Sequence, residues 1–344
     1  MNEIDGVKIV PGFVHRPGHH CATSAMAAGL RTVGVDLAEE VLLGLAQGLG
    51  GAYFDFKFML PFLAGRSGGR KGVFEMRILE ALKIPGESLS SLSARKVSAW
   101  AREELESGRA AVVYVDMAYL PYHDFPPGEH FGGHLIAVIG YDEGRDRYAV
   151  ADRFAAPVSL SGKDFIKART SKHPPFPAIG TQVFIRPPDQ SSIDLIGATR
   201  AAIHANMETF HNPPIANVGV NAAAKFADQI VRWPGKFPTD KLAAALNNIH
   251  LFIELGGTGG AAFRRMYSRF LDFTAQITGE GRYRIAAEKL AVVAEDWTRM
   301  AELCLQDGET VAGGGNPSHL MQIAELAKGI CVAEKELFKP LLDL

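Results

Sequence analysis

HLIAVIGYDEGRDRYAVAD, residues 134–152, reads as two strands and a turn. After His134 the run LIAVIGY is almost wholly apolar, and YAVA (148–151) is a second, shorter apolar run. The linking DEGRDR (142–147) is polar and carries a glycine, the composition of a hairpin loop. Strands joined in this way lie side by side. The spacing therefore predicts that His134, at the head of the first strand, meets Asp152, at the end of the second.

Working outward, AAVVYVD (110–116) is another buried-strand pattern and TQVFI (181–185) a last one. Cys21 to about Val33 is predicted to be helical, led in by Gly18 and two histidines, with Ala25, Met26, Leu30 and Val33 as its apolar stripe. A second helix is expected from Asp36, with Glu39 in capping-box spacing and the glycines of 48–51 ending it. Phe54, Phe56, Phe58 and Leu60 alternate, which predicts a strand over 53–60 with Tyr53 and Asp55 turned the other way, toward a pocket. The stretch RPPDQSS (186–192) interrupts both periodicities. Beyond it the pattern is helical almost to the end. The expected fold class is α+β over residues 1–188, followed by an all-α helical domain over 189–344.

The 344 residues suit about two domains, and a 47% hydrophobic content is enough for a sizeable core. Thirty-six basic residues against thirty-eight acidic ones exclude the basic excess of a dedicated nucleic-acid binder. No apolar run approaches the ~18–20 residues of a membrane span. MNEIDGVKIV lacks the basic-then-apolar order of a secretory signal. Three cysteines do not make a disulfide framework. These features point to a cytoplasmic protein with neither a nucleic-acid nor a membrane partner. Cys304 and Cys331 sit among apolar neighbours in helical runs and read as core.

Cys21 stands apart. At a helix N-terminus, unpaired N–H groups and the macrodipole favour the thiolate, the form that attacks a carbonyl carbon. With His134 as proton carrier and Asp152 holding the imidazole, the three residues have the logic of a Cys–His–Asp triad. Taken singly, each has an ordinary alternative: a small buried thiol, a satisfied polar ring, a turn aspartate. Their order and the elements that carry them favour the triad. The dense cluster His15, His19, His20 and Cys21 has the donor types of a zinc site, to which His123, His130 and His134 could add. Neither a CxxC pair nor an HExxH motif is present, and a metal on Cys21 would block the nucleophile, so no metal is expected.

The helix-initial cysteine, the histidine opening HLIAVIGYD and the aspartate closing YAVAD together resemble the papain-like cysteine peptidases, nearest in texture to the bacteriocin-processing branch. HRPGHHCATSA (15–25), GLAQGLGGAYF (44–54), GGHLIAVIGYD (132–142) and GTGGAAFRRMYSRFL (257–271) resemble the butirosin biosynthesis protein H family more specifically, over nearly the whole chain. That resemblance implies a papain-like domain followed by a helical domain. It also implies acyl transfer from an acyl carrier protein thioester to the amine or hydroxyl of a small-molecule acceptor. The acyl group would rest on Cys21, with no cofactor beyond the phosphopantetheine that carries the substrate. Where papain-like peptidases place an oxyanion-donating glutamine, six residues before the cysteine, this chain has His15. His19 and His20 would line the pocket. Hydrolysis by the same triad, cyclisation of a carrier-bound chain, and a catalytically inert binding module are the competing readings.

Further candidates are Arg66 and Arg70 in the basic loop GRSGGRKG (65–72), which could dock an acidic carrier protein, and Tyr53. The glycine-rich turn GGTGG (256–260), with Gly257, Thr258 and Gly259 ahead of Arg264, could cradle a phosphate. Its plainer reading is a helix cap and close helix packing. The alanine-rich helices leave two readings open, tight internal packing or the face of a homodimer.

Overall fold

The computed structural model describes residues 3–57, 59–66 and 69–342. The chain forms two compact units, Met1–Leu42 with Gly69–Asp194, and Leu43–Gly68 with Leu195–Leu344. The first is mixed α/β and the second almost wholly helical. Residues 43–68 thus group with the helical unit, where the sequence reading kept the whole of 1–188 together. Their partners explain the difference. Asn206 bonds both the N–H and the C=O of Leu49, and Gly44 lies flat against the Phe270 ring, where a Cβ would come within 2.2 Å.

In the first unit, six strands form one antiparallel sheet in the order Gly86–Leu89, Gln182–Ile185, Ala111–Val115, His134–Asp142, Arg147–Ala151, Val158–Ser161. The central strands are apolar on both sides because both faces are covered. Val113, Val115, Ile136, Val138 and Val150 pack with Phe165 and Ala168 on one face. Ala137, Ile139, Ala149 and Ala151 pack with Ala28, Val7 and Ile4 on the other. The expected hairpin is present, with pairing from Asp142↔Arg147 to Ala137↔Ala151 and a bulge between Val138 and Gly140. Gly140 has to be glycine here, since a Cβ would lie 2.2 Å from the Lys8 carbonyl.

Helix α1 is Cys21–Arg31 and helix α2 is Glu39–Leu45. Asp36 does not cap α2; it takes a bidentate ion pair from Arg16, and Glu39 turns back to α1. The strand expected over 53–60 is instead a short hairpin, Ala52–Phe54 with Phe62–Ala64. Phe54 stacks on its near neighbour Phe56 at 5.1 Å and packs against Phe62 at 5.9 Å, which favours a turn over an extended run. Phe58 lies outside the described residues. Among these residues, no helix is long and apolar enough to cross a membrane.

The second unit packs Leu195–His211, Ala222–Ile230, Thr239–His250, Arg264–Thr278, Gly281–Ala312 and Leu320–Phe338 around one core containing Trp233, Trp297, Phe226 and Phe270. A buried ion pair crosses it. Arg264 Nε and Nη2 donate to Glu334 Oε1 and Oε2 at 2.7 and 3.0 Å, and Trp297 Nε1–H donates to the same carboxylate at 2.9 Å. Both charged side chains are 1% exposed. Glu334→Gln leaves the guanidinium uncompensated in the core and is expected to cost about 3–5 kcal/mol of stability. The double change Arg264→Met, Glu334→Leu should recover most of that loss. Urea unfolding of the three proteins checks this, and equal losses in the single and double variants would contradict it.

Candidate active site

The segment before α1 is fastened to the end of the 147–151 strand. Gly18 N–H donates to the Arg153 carbonyl at 2.9 Å, and His15 Nε2–H donates to the Phe154 carbonyl at 2.7 Å. Glu39 then clamps the helix start. Its carboxylate accepts from the N–H groups of His19 and His20 and from the hydroxyls of Thr23 and Ser24, at 2.7–3.2 Å. Gly18 leaves room for this clamp, since a Cβ there would fall on Ser24 Oγ and Glu39. These contacts place Cys21, partly exposed, at the first position of α1.

Sheet register brings the other two residues together. One step beyond Ala137↔Ala151 sets Asp152 opposite Ile136, and His134 is two residues farther along the same face. His134 Nε2–H donates to Asp152 Oδ2 at 2.7 Å, with both side chains at most 3% exposed. That leaves Nδ1 free of Asp152, and the charge of His134 acts on Cys21.

The electrostatics follow from this geometry. Burial alone would push the Cys21 thiol up, but the hydrogen bond and positive charge of His134, with the Leu135 N–H, outweigh it and lower the pKa. Burial would likewise lower His134, but the Asp152 charge and the thiolate raise it well above the ordinary imidazole value. Asp152 is held far below the usual carboxylate range, with the charge of His134 and the donors on its oxygens overcoming burial. Cys21 and Asp152 are thus shifted toward their anionic forms and His134 toward its cation. Cys304 and Cys331 contrast with this, since burial pushes both thiols up.

Asp152 is also held by residues that the sequence reading did not assign to the site. Oδ2 accepts from Tyr122 Oη at 3.3 Å and from His123 Nε2 at 3.1 Å, and Oδ1 accepts from Arg153 N–H at 2.7 Å. The His123 ring stands edge-on to His134, centroids 5.0 Å apart. In the sequence His123 stood out only as a loop histidine that could join the zinc-type cluster. His123, His134 and Asp152 each present one ligand atom within 4.8 Å of the others. Both imidazole nitrogens, however, approach one carboxylate oxygen at hydrogen-bond distance. The separations of 2.7 and 3.1 Å are those of N–H···O hydrogen bonds.

The remaining candidates disperse. His20 is buried edge-on to Phe74, His19 is exposed, and His130 donates from Nδ1 to Asp116 at 2.8 Å. Arg70 is exposed; Ser67 and Gly68 of the same loop lie outside the described residues. In the helical unit, Tyr53 is 2% exposed and packs on Phe226, with only an edge in a cleft of about 340 Å³ shared with Asp55, Lys225 and Lys236. Asp55 pairs with Lys236. Most N–H groups at the glycine-rich turn are taken internally, which disfavours a phosphate cradle. Gly257 N–H donates to Leu255, Gly260 N–H to the Thr258 hydroxyl, and Ala261 N–H to the Glu254 carboxylate. Gly259 and Gly260, then Ala261, Ala262 and Phe263, all take positive φ, and Arg264 is consumed by Glu334. Ala261, Ala262 and Phe263 hold this left-handed conformation at about 1–2 kcal/mol per residue. Gly65 packs on it, with the Ala262 carbonyl 2.0 Å from where a Cβ would stand.

Comparison with known proteins agrees with the two-part layout. The family model described as butirosin biosynthesis protein H, N-terminal, matches residues 20–153, a span that begins just before Cys21 and ends just after Asp152. A second, described as a domain of unknown function (DUF4872), matches residues 163–341, over half of the chain. No curated protein matches the chain. By its two matched domains, the chain belongs to the butirosin biosynthesis protein H-like family, in which that N-terminal domain precedes a DUF4872 domain.

Proposed function

We propose that this chain is a cysteine-dependent acyltransferase of specialised-metabolite biosynthesis, built on a papain-like domain and using Cys21, His134 and Asp152. The observation that carries the reading is the buried His134–Asp152 hydrogen bond of 2.7 Å, whose charges act on the partly exposed Cys21 at the start of α1. The family name, which refers to butirosin biosynthesis, supports the biosynthetic setting.

In this reaction the Cys21 thiolate attacks the carbonyl carbon of a carrier-protein thioester. A C–S bond forms, the carrier sulfur leaves, and the His134 imidazolium returns its proton to that sulfur. The acyl group now rests on Cys21 and His134 is neutral. The loss of the thiolate's negative charge removes one of the causes that raise the His134 pKa. The imidazole is then better suited to take a proton from the attacking amine or hydroxyl. Amide or ester formation expels the Cys21 thiolate and restores the ion pair. The donor is an acyl carrier protein with its phosphopantetheine arm, and the acceptor is a small molecule.

Intact-protein mass spectrometry with acyl carrier protein thioesters tests the reading. The expected result is a mass gain of one acyl group, discharged faster by an amine than by water alone. Discharge at the same rate with and without amine would make the protein a hydrolase. A product lacking added acceptor, with the acyl chain condensed on itself, would make it a cyclase. No gain with any donor would remove the enzyme reading.

A further inference from the structure

His15 occupies the sequence position of an oxyanion donor, yet its Nε2–H is engaged by the Phe154 carbonyl. A second donor is the backbone N–H of Cys21, which as the first helical N–H has no acceptor within its own helix. One cation is tied down at the head of the His134 strand. Lys71 Nζ donates to the Gly132 carbonyl at 2.6 Å, two residues before His134. It sits over the Tyr114 ring, 4.4 Å from the centroid. Tyr114 is paired across the sheet with Leu135, the residue after His134. Phe74, three residues after Lys71, packs edge-on against His20, the residue before Cys21.

Lys71 is therefore bracketed by the residues flanking both Cys21 and His134. It is half-buried, and among the described residues its ammonium makes no ion pair within 4 Å. Gly132 is fixed in turn, since a Cβ there would meet Phe176 and Ala178 backbone atoms at 2.4 Å.

We infer that Lys71 donates to the acyl oxygen while that oxygen carries negative charge in the tetrahedral intermediate at Cys21. This rests on the acyl-transfer reading above. When the sulfur attacks, the carbonyl π-electrons move to oxygen. When the leaving group departs, they return. Lys71 remains an ammonium throughout and exchanges no proton. A preorganised cation of this kind acts where charge develops, away from bulk water, which is where such donors have their largest effect. Burial lowers the Lys71 amine to about 8, against the negative charges of Glu75, Cys21 and Asp116 that face it. The cationic form, and with it the assistance, is thus present below about pH 8 and lost above it.

Two reagents separate this role from a general effect on the thiol. Acylation by p-nitrophenyl acetate passes through an oxyanion; alkylation by iodoacetamide does not. Lys71→Met is expected to slow acylation of Cys21 by about 100-fold, while alkylation at a pH where the thiol is ionised changes less than about threefold. Lys71→Arg should restore much of the acylation rate. It should also abolish the fall in rate that the wild type shows above about pH 8, because a guanidinium stays charged there. Wild-type acylation with an unchanged rate in Lys71→Met would overturn the inference alone. So would equal losses in acylation and alkylation, which would mark Lys71 as structural or as a tuner of the thiolate only. A wild type acylated by neither the ester nor a carrier thioester would overturn the acyl-transfer reading and this inference with it.

Discussion

Cys21→Ala is expected to eliminate acyl loading and electrophile labelling together, lowering any turnover by roughly 10⁶-fold, as for other covalent nucleophiles. No second thiol can substitute. Cys304 and Cys331 are buried in the helical unit, and burial pushes their thiols up, away from the reactive form. The fold should survive, because alanine is the best helix former and Cys21 is the first residue of a helix whose start is clamped by Glu39 rather than by the thiol. Intact mass after exposure to a carrier thioester, and separately to iodoacetamide near pH 6, reads the outcome. At that pH an ordinary thiol is almost wholly protonated, whereas Cys21, its pKa lowered by His134, is expected to react faster. Labelling of wild type and variant to the same extent would show that another group is the nucleophile.

The parts of the site legible in the sequence are those that local rules dictate. The 134–152 hairpin has a polar, glycine-bearing loop between apolar runs, and it pairs as the spacing predicts. Cys21 opens a helix because small residues and an apolar stripe follow it. Long-range contacts were beyond such rules. Glu39 in capping-box spacing looks like a property of its own helix, but it serves the helix before it. His123 and Lys71 stand in polar loops with no periodicity, and only the sheet brings them beside Asp152 and Tyr114. The grouping of residues 43–68 with the helical unit depends on Asn206 and Phe270, more than 150 residues away. The glycine-rich turn misled for a related reason. Glycines that permit positive φ serve a phosphate cradle and a tight left-handed turn alike, and only the internal acceptors tell them apart.

Asp152→Asn is expected to slow acyl loading by about 10³–10⁴-fold, and the hydrogen-bond pattern says why so small a change should matter. All four neighbours of the carboxylate are donors: Tyr122 Oη, His123 Nε2 and His134 Nε2 on Oδ2, and Arg153 N–H on Oδ1. An amide offers one acceptor and one donor. With its oxygen toward the histidines, its NH₂ opposes the Arg153 N–H; with the amide flipped, NH₂ opposes three donors at once. Either way a buried donor is left unsatisfied, at about 1–3 kcal/mol. The negative charge that raises His134 is gone as well. The imidazole then titrates lower, the thiolate loses its cation, and the Cys21 pKa rises. In the wild type, alkylation rises as pH climbs through the lowered Cys21 pKa. In Asp152→Asn that rise should shift upward, toward the ordinary thiol value of about 8.5. Stability carries its own signature. The depressed Asp152 contributes stability above the unfolded carboxylate pKa, lost as pH falls through the folded one, whereas the raised His134 contributes below the unfolded imidazole pKa, lost as pH rises through the folded one. The variant should therefore lose most stability between roughly pH 4 and 6.5, where both contributions are present. Alkylation rate and melting temperature across pH 4–9 check both effects. A variant with a wild-type alkylation profile would assign Asp152 a purely structural place.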